Sequence, residues 1–146
     1  MTAITRYASR PARAFGAALT LGIVALALST GWIHLGLGGL LFTLNGLGYA
    51  GLAGLYVLAA AAPHPLLAIF GWAPRLALAG YAGVTIVGWA IQGPYFPLAY
   101  FAKGIEVALI ALIAVDVYRV YGGPMGLARA ARASVFGRAG RSTASA

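Results

Sequence analysis

Apolar residues fill four long runs along the chain, Ala14–Ile33, Leu40–Ala62, Leu76–Gln92 and Pro97–Tyr121. Each approaches or exceeds the roughly 20 residues that an α-helix needs to cross a bilayer. Short glycine- and proline-rich breaks separate them. Gly36, Gly38 and Gly39 mark the first, Pro63-His64-Pro65 the second and Gly93-Pro94 the third, and Gly122-Gly123-Pro124 closes the last run. Such pairs are turn signals, whereas Pro97 at the start of a run suits the first turn of a helix, where its missing N–H is not needed. Leu66–Trp72 is too short to cross and is followed by Pro74-Arg75, so it reads as an interfacial turn or a re-entrant start, and the third span can begin before Leu76. The pattern predicts an all-α membrane protein, a four-transmembrane-helix up-down bundle. A basic head (residues 1–13) precedes the bundle (14–121), and a basic flexible tail (122–146) follows it.

Composition excludes a soluble domain: 62% of residues are hydrophobic and 8% charged, against about 25% charged in ordinary globular chains. Cysteine is absent, which removes disulfides, thiolate chemistry and thiolate-bound metals. The net charge of +8 does not form a basic face with interleaved aromatics, so nucleic acid is not an expected partner. It divides instead by loop. The head carries Arg6, Arg10 and Arg13, the loop between spans two and three carries Arg75, and the tail carries Arg129, Arg132, Arg138 and Arg141, while the first and third loops carry no charge. The positive-inside rule then places both termini and the Arg75 loop in the cytoplasm, the orientation expected here for an inner-membrane protein. Tyr118 and Tyr121 near one end, and Trp32, Trp89, Tyr95 and Phe96 near the other, suit interfacial belts. Ala27-Leu28-Ser29 also resembles a signal-peptide cleavage site, but the apolar pattern resumes at once and favours a retained span.

Small residues at four-residue spacing let membrane helices approach closely. Gly46, Ala50 and Gly54 in span two, and Ala79 and Gly83 in span three, are the candidate packing stripes. Against this background Glu106 stands out. It is one of two acids in the chain, lies inside the fourth span and follows the only lysine, Lys103, by three positions. An ionisable group at membrane depth is costly and marks a site by default. Counted inward from the uncharged-loop side, Lys103, Glu106, Asn45, Tyr49, Thr85, Thr30 and Ser29 all fall in one half of the bilayer, with His34 at its mouth. This asymmetry predicts a polar pocket at the outer end, floored by Tyr49 and Glu106. Each group also has a plainer reading. Lys103 and Glu106 can neutralise each other and hold the bundle together, and Asn45 and Thr85 can be interhelical glue. Should Lys103 point elsewhere, Glu106 becomes a candidate proton carrier. Asp116, with Arg119 three positions on, reads as an interfacial ion pair on a different face from Glu106.

No catalytic motif is present, neither a nucleophile paired with a base nor an HExxH, and no metal or cofactor is expected. His34 and His64 would lie about 30 Å apart, too far to share a haem within one chain. The strings His34-Leu35, Asn45-Gly46-Leu47-Gly48-Tyr49, Gly93-Pro94-Tyr95 and Lys103-Gly104-Ile105-Glu106-Val107-Ala108-Leu109-Ile110 resemble a group of small, uncharacterised prokaryotic four-helix membrane proteins. The resemblance covers His34 to about Tyr121 and implies the four-span bundle, not an activity. Two functions are therefore expected. One is a non-enzymatic accessory or interaction subunit of a larger membrane assembly or homo-oligomer, with Lys103–Glu106 as a structural pair. The other is a small proton-coupled carrier, or a membrane protein binding a quinone-like or small polar ligand, that uses Glu106.

Overall fold

A computed structural model describes residues 10–61 and 69–136. Among them are five helices and no strand: α1 (Arg10–Leu37), α2 (Leu40–Ala61), α3 (Trp72–Gln92), α4 (Pro97–Tyr121) and α5 (Pro124–Phe136). The first four are long and apolar enough to cross a membrane. His64, the prolines beside it and residues 66–68 lie outside the described residues.

The helices run longer at three ends than the hydropathy pattern predicts, the first being the start of α1 at Arg10 rather than Ala14. Helix α1 continues one turn past Ile33 to Leu37 and stops at Gly38 and Gly39, whose φ values of 72° and 82° end the right-handed turn. Helix α3 starts at Trp72 rather than Leu76. Pro74 does not break it, because an N–H in the first turn has no partner within the helix. Arg75 is consequently a helical residue, 4% exposed, and not a loop charge.

Helix α1 packs against α2 and α4, and α3 packs against the same two, so the long helices form a square with α1 opposite α3. Contacts along α1 and α4 run in opposite order: Gly16 lies against the Arg119 guanidinium, while Thr30 meets Glu106. The centre is filled by Ile23, Ala27, Tyr49, Ala53, Tyr56, Leu78, Ala82, Leu109 and Ile113. Helix α4 has the widest buried stripe, with Ala99, Ala102, Lys103, Glu106, Leu109, Ile113, Asp116 and Val117 three or four residues apart. Both acids belong to it. Their ten-residue separation turns them by roughly 80°, yet α4 is enclosed over that whole arc, so Asp116 is not on an outer face. Outside the square, Leu21, Trp32, Leu40, Leu41, Val84, Ile91 and Phe101 are all more than 60% exposed, a surface suited to acyl chains.

The segment expected to be a flexible tail begins with a packed helix. Gly122, in the left-handed region at φ 72°, caps α4 by donating its N–H to the Tyr118 carbonyl, the usual glycine device at a helix end. Pro124 then opens α5, and its helix-forming alanines carry Leu127 and Ser134 onto α3 and α4. Trp72 Nε1 donates to Ser134 Oγ at 2.9 Å. The exposed face of α5 holds Arg129 and Arg132.

The residues of the small-residue stripes fall on different faces of their helices. Gly46 lies where a Cβ would come within 2.7 Å of the Gly31 carbonyl oxygen and 2.6 Å of Leu35 Cγ, so the α1 and α2 backbones nearly touch. Ala50 and Gly54 face outward, and a Cβ at Gly54 or Gly83 would meet nothing within 4 Å. The buried stripe of α2 instead runs Gly46, Tyr49, Ala53, Tyr56, because the spacing that faces α1 and α3 alternates three and four. On α3, Ala79 is half-buried, and Leu78 and Ala82 are the residues at the centre. Gly46→Val should therefore lower stability by about 1–3 kcal/mol through overpacking. Gly54→Val should stay within about 0.5 kcal/mol. Unfolding of the two variants in the same detergent compares them directly.

Candidate functional site

The two carboxylates of α4 organise two polar clusters, and each is fully buried. At the upper cluster, Glu106 Oε2 accepts from Lys103 Nζ at 2.7 Å and from Thr85 Oγ1 at 2.9 Å, and Oε1 accepts from Thr30 Oγ1 at 3.1 Å. The carboxylate thus ties α4 to α1 and α3. Lys103 reaches it from one turn earlier on the same helix. That order is the weaker one for a surface pair, but the pair is shielded here: the Lys103 side chain is 11% exposed. Thr85 Oγ1 also lies 2.9 Å from the Ala82 carbonyl. Its single hydrogen goes either there or to the carboxylate, and both accept only. Tyr49, whose hydroxyl is 2.9 Å from Thr85 Oγ1, is therefore the donor to it. Tyr49 thereby places α2 in the same network, one hydroxyl away from Glu106.

His34 completes the cluster. The sequence puts it at the mouth, but the extra turn of α1 carries it inward to 4% exposure. Its Nε2 lies 3.9 Å from Glu106 Oε1, and its Nδ1 lies 2.8 Å from the Thr30 carbonyl oxygen. The ring stacks obliquely between Phe42 and Tyr49. Of the pocket residues named from sequence, Lys103, Glu106, Tyr49, Thr85 and His34 thus meet around one carboxylate. Asn45 stands apart. Its backbone carbonyl accepts from Tyr81 at 3.3 Å, while its side-chain Oδ1 is buried without a hydrogen-bond partner among the described residues.

Above this cluster lies a cavity of about 360 Å³, within the size range of small-molecule sites. His34, Asn45, Thr85 and Lys103 line its polar side, and Phe42, Val84 and Trp89 are among its apolar walls. Glu106 and Tyr49 do not line it; they sit beneath its polar wall. The α3–α4 turn frames the opening. Gly93, at φ 69° and ψ −161°, adopts a conformation that disfavours any side chain. Trp89 Nε1 donates to the Pro94 carbonyl at 2.8 Å, and Tyr95 OH donates to the Ala90 carbonyl at 2.9 Å.

The lower cluster was not apparent from the sequence. Asp116 Oδ2 accepts from Tyr56 OH at 2.6 Å and Arg75 Nε at 2.8 Å, and Oδ1 accepts from Arg119 Nη2 at 2.6 Å and Nε at 3.1 Å. Arg75 also donates to the Gly71 carbonyl and lies over the rings of Tyr56 and Tyr121. The Arg119 pair matches the expected local one, but Arg75 and Tyr56 turn it into a link between α2, α3 and α4. One signal pointed to it. With two acids in the chain, a carboxylate within an apolar run needs a cation from another helix, and Arg75 is the one basic residue between spans two and three. Among the described residues no three His, Cys, Asp or Glu side chains gather as a metal site.

No family model matches this chain, and neither does any curated protein or solved structure compared with it.

Arg75→Met would take the buried cation from Asp116 and leave Arg119 and Tyr56 as its donors; loss of one partner of a buried pair costs about 3–5 kcal/mol. Arg119, with its side chain 37% exposed, should matter less, and Arg119→Met should cost below about 1 kcal/mol. Thermal unfolding of both variants in one detergent would show the order; equal losses would contradict it.

Proposed function

We propose that the chain is a multi-pass membrane protein that binds a small amphipathic molecule in the cavity above Glu106, without catalysing a reaction on it. The observation that carries this reading is the arrangement of the polar wall. Lys103, His34 and Thr85 line a space of about 360 Å³ on one side and face a fully buried carboxylate on the other. A purely structural ion pair needs no such space. Glu106, with Tyr49 and Thr85 beside it, is the anion against which proton exchange at the site is balanced. In this reading the square of helices is an up-down bundle in a prokaryotic inner membrane. Arg13, Arg75, Arg119, Arg129 and Arg132 occupy its cytoplasmic end, with both termini, and the cavity opens at the outer end.

A second reading has its own support. Glu106 already accepts from Lys103, Thr30 and Thr85, as expected of a structural node in an accessory subunit of a larger assembly.

Gly88 separates the two. It lines the cavity, and a Cβ there meets nothing within 4 Å, so Gly88→Phe fills the space without a backbone clash. Protein purified in mild detergent should release a stoichiometric small molecule on solvent extraction, identified by mass spectrometry. Gly88→Phe should lower that occupancy at least about tenfold with the melting temperature unchanged. Empty extracts together with stoichiometric protein partners would favour the subunit reading.

Topology has a separate check. The chain has no cysteine, so single replacements report cleanly. Leu40→Cys should react with an impermeant maleimide in intact cells, whereas Ser142→Cys should react only after lysis. The reverse pattern would invert the bundle.

A further inference from the structure

Lys103 and His34 approach the two oxygens of one carboxylate, Lys103 Nζ at 2.7 Å from Oε2 and His34 Nε2 at 3.9 Å from Oε1. Both also line the cavity, and they offer it opposite hydrogen-bonding faces. An ammonium donates and cannot accept. His34 is fixed the other way. Its Nδ1 lies 2.8 Å from the Thr30 carbonyl, which accepts only, so Nδ1 carries the hydrogen and a neutral ring keeps its lone pair on Nε2. Nε2 lies 3.9 Å from a carboxylate oxygen, too far for a hydrogen bond, on a residue that lines the cavity.

The groups facing the ring come from three helices. Thr30 belongs to its own helix, Glu106 comes from α4, and Phe42 and Tyr49 come from α2; Lys103, also on α4, bonds the other oxygen of the same carboxylate. From α3, Thr85 touches the same carboxylate, and Tyr81 lines the cavity. Among these one anion meets one cation, so the site is balanced while His34 is neutral. An anion entering alone would leave an uncompensated charge in apolar surroundings, which is costly. An anion entering with a proton would not. A neutral ligand bearing acceptors only would leave Nε2 without a partner.

We propose that the cavity takes a small amphipathic weak acid, a carboxylic acid or a phenol, together with one proton. The acid's O–H bond breaks with its electron pair left on the ligand oxygen, and the proton bonds to His34 Nε2. The imidazolium then faces Glu106 Oε1, and the ligand oxygen accepts from Lys103 Nζ. Net charge in the cluster stays zero. Phe42, Val84 and Trp89 cover the hydrocarbon part. This inference rests on the cavity-binding reading and names the ligand class for it.

Isothermal titration of the full chain in detergent at pH 7 tests it, with benzoate and phenylacetate as probes and benzamide as the neutral isostere. Repeating the titration in buffers of different ionisation enthalpy counts protons and needs no variant. Both acids should bind with uptake of about one proton per ligand. Lys103→Met should weaken them at least about tenfold. His34→Asn retains a side-chain N–H for the Thr30 carbonyl and should abolish the proton uptake. Benzamide binding as tightly as benzoate, acid binding without proton uptake, or no binding of either acid would overturn the proposal. Benzamide binding that Gly88→Phe removes would retire the weak acid and leave the cavity a ligand site. Failure of all three probes with empty solvent extracts would retire both readings.

Discussion

Burying a carboxylate among apolar helices is the constraint from which the rest of this bundle follows. Lipid supplies no hydrophobic force to press helices together, so packing and polar contacts have to hold them. An ionised acid in such surroundings is tolerated only with a cation and enough donors to satisfy its oxygens. Glu106 and Asp116 are each fully enclosed and each collect donors from other helices. Meeting those demands fixes where α1, α2 and α3 stand around α4.

Helix α4 is accordingly the spine. Its two acids lie ten residues apart, about 15 Å along the axis, and Leu109 and Ile113 between them belong to the apolar core. The lower node uses two arginines and a tyrosine, and its guanidinium groups face a carboxylate with fixed, multiple bonds, geometry suited to anchoring. The upper node uses one lysine, a histidine and hydroxyls, groups that rotate or exchange protons readily. One end of the spine is clamped, and the other is chemically adaptable and lies next to the cavity. The division is the one that the proposed ligand reading calls for, with a rigid basic end and an adaptable end beside the cavity.

Much of this was legible in the sequence, for a physical reason. A charged residue in an apolar run is conspicuous, so Lys103 and Glu106 could be found by eye, and counting depth from the uncharged loops brought Thr85, Tyr49 and Asn45 to the same level. The length of the runs gave four helices long and apolar enough to span a membrane. What failed depended on rotation about a helix axis and on ends. Gly54 and Gly83 have the spacing of a packing stripe, but nothing in that spacing tells which side of the helix meets a neighbour. Pro74 looked like a break and was a first-turn proline, which hid Arg75 inside α3 and with it the whole Asp116 node. One extra turn of α1 moved His34 from a rim to an interior. The segment that forms α5 read as a basic flexible tail because its buried side is made of small residues, with Leu127 as the single large one.

The imidazole of His34 is bonded to the carbonyl four residues earlier on its own helix, and rings from α2 flank it. A side chain tethered in that way starts from a fixed position. On the weak-acid proposal, charge at this level of the bundle relocates by a proton passing between stationary oxygen and nitrogen atoms, with no helix required to shift.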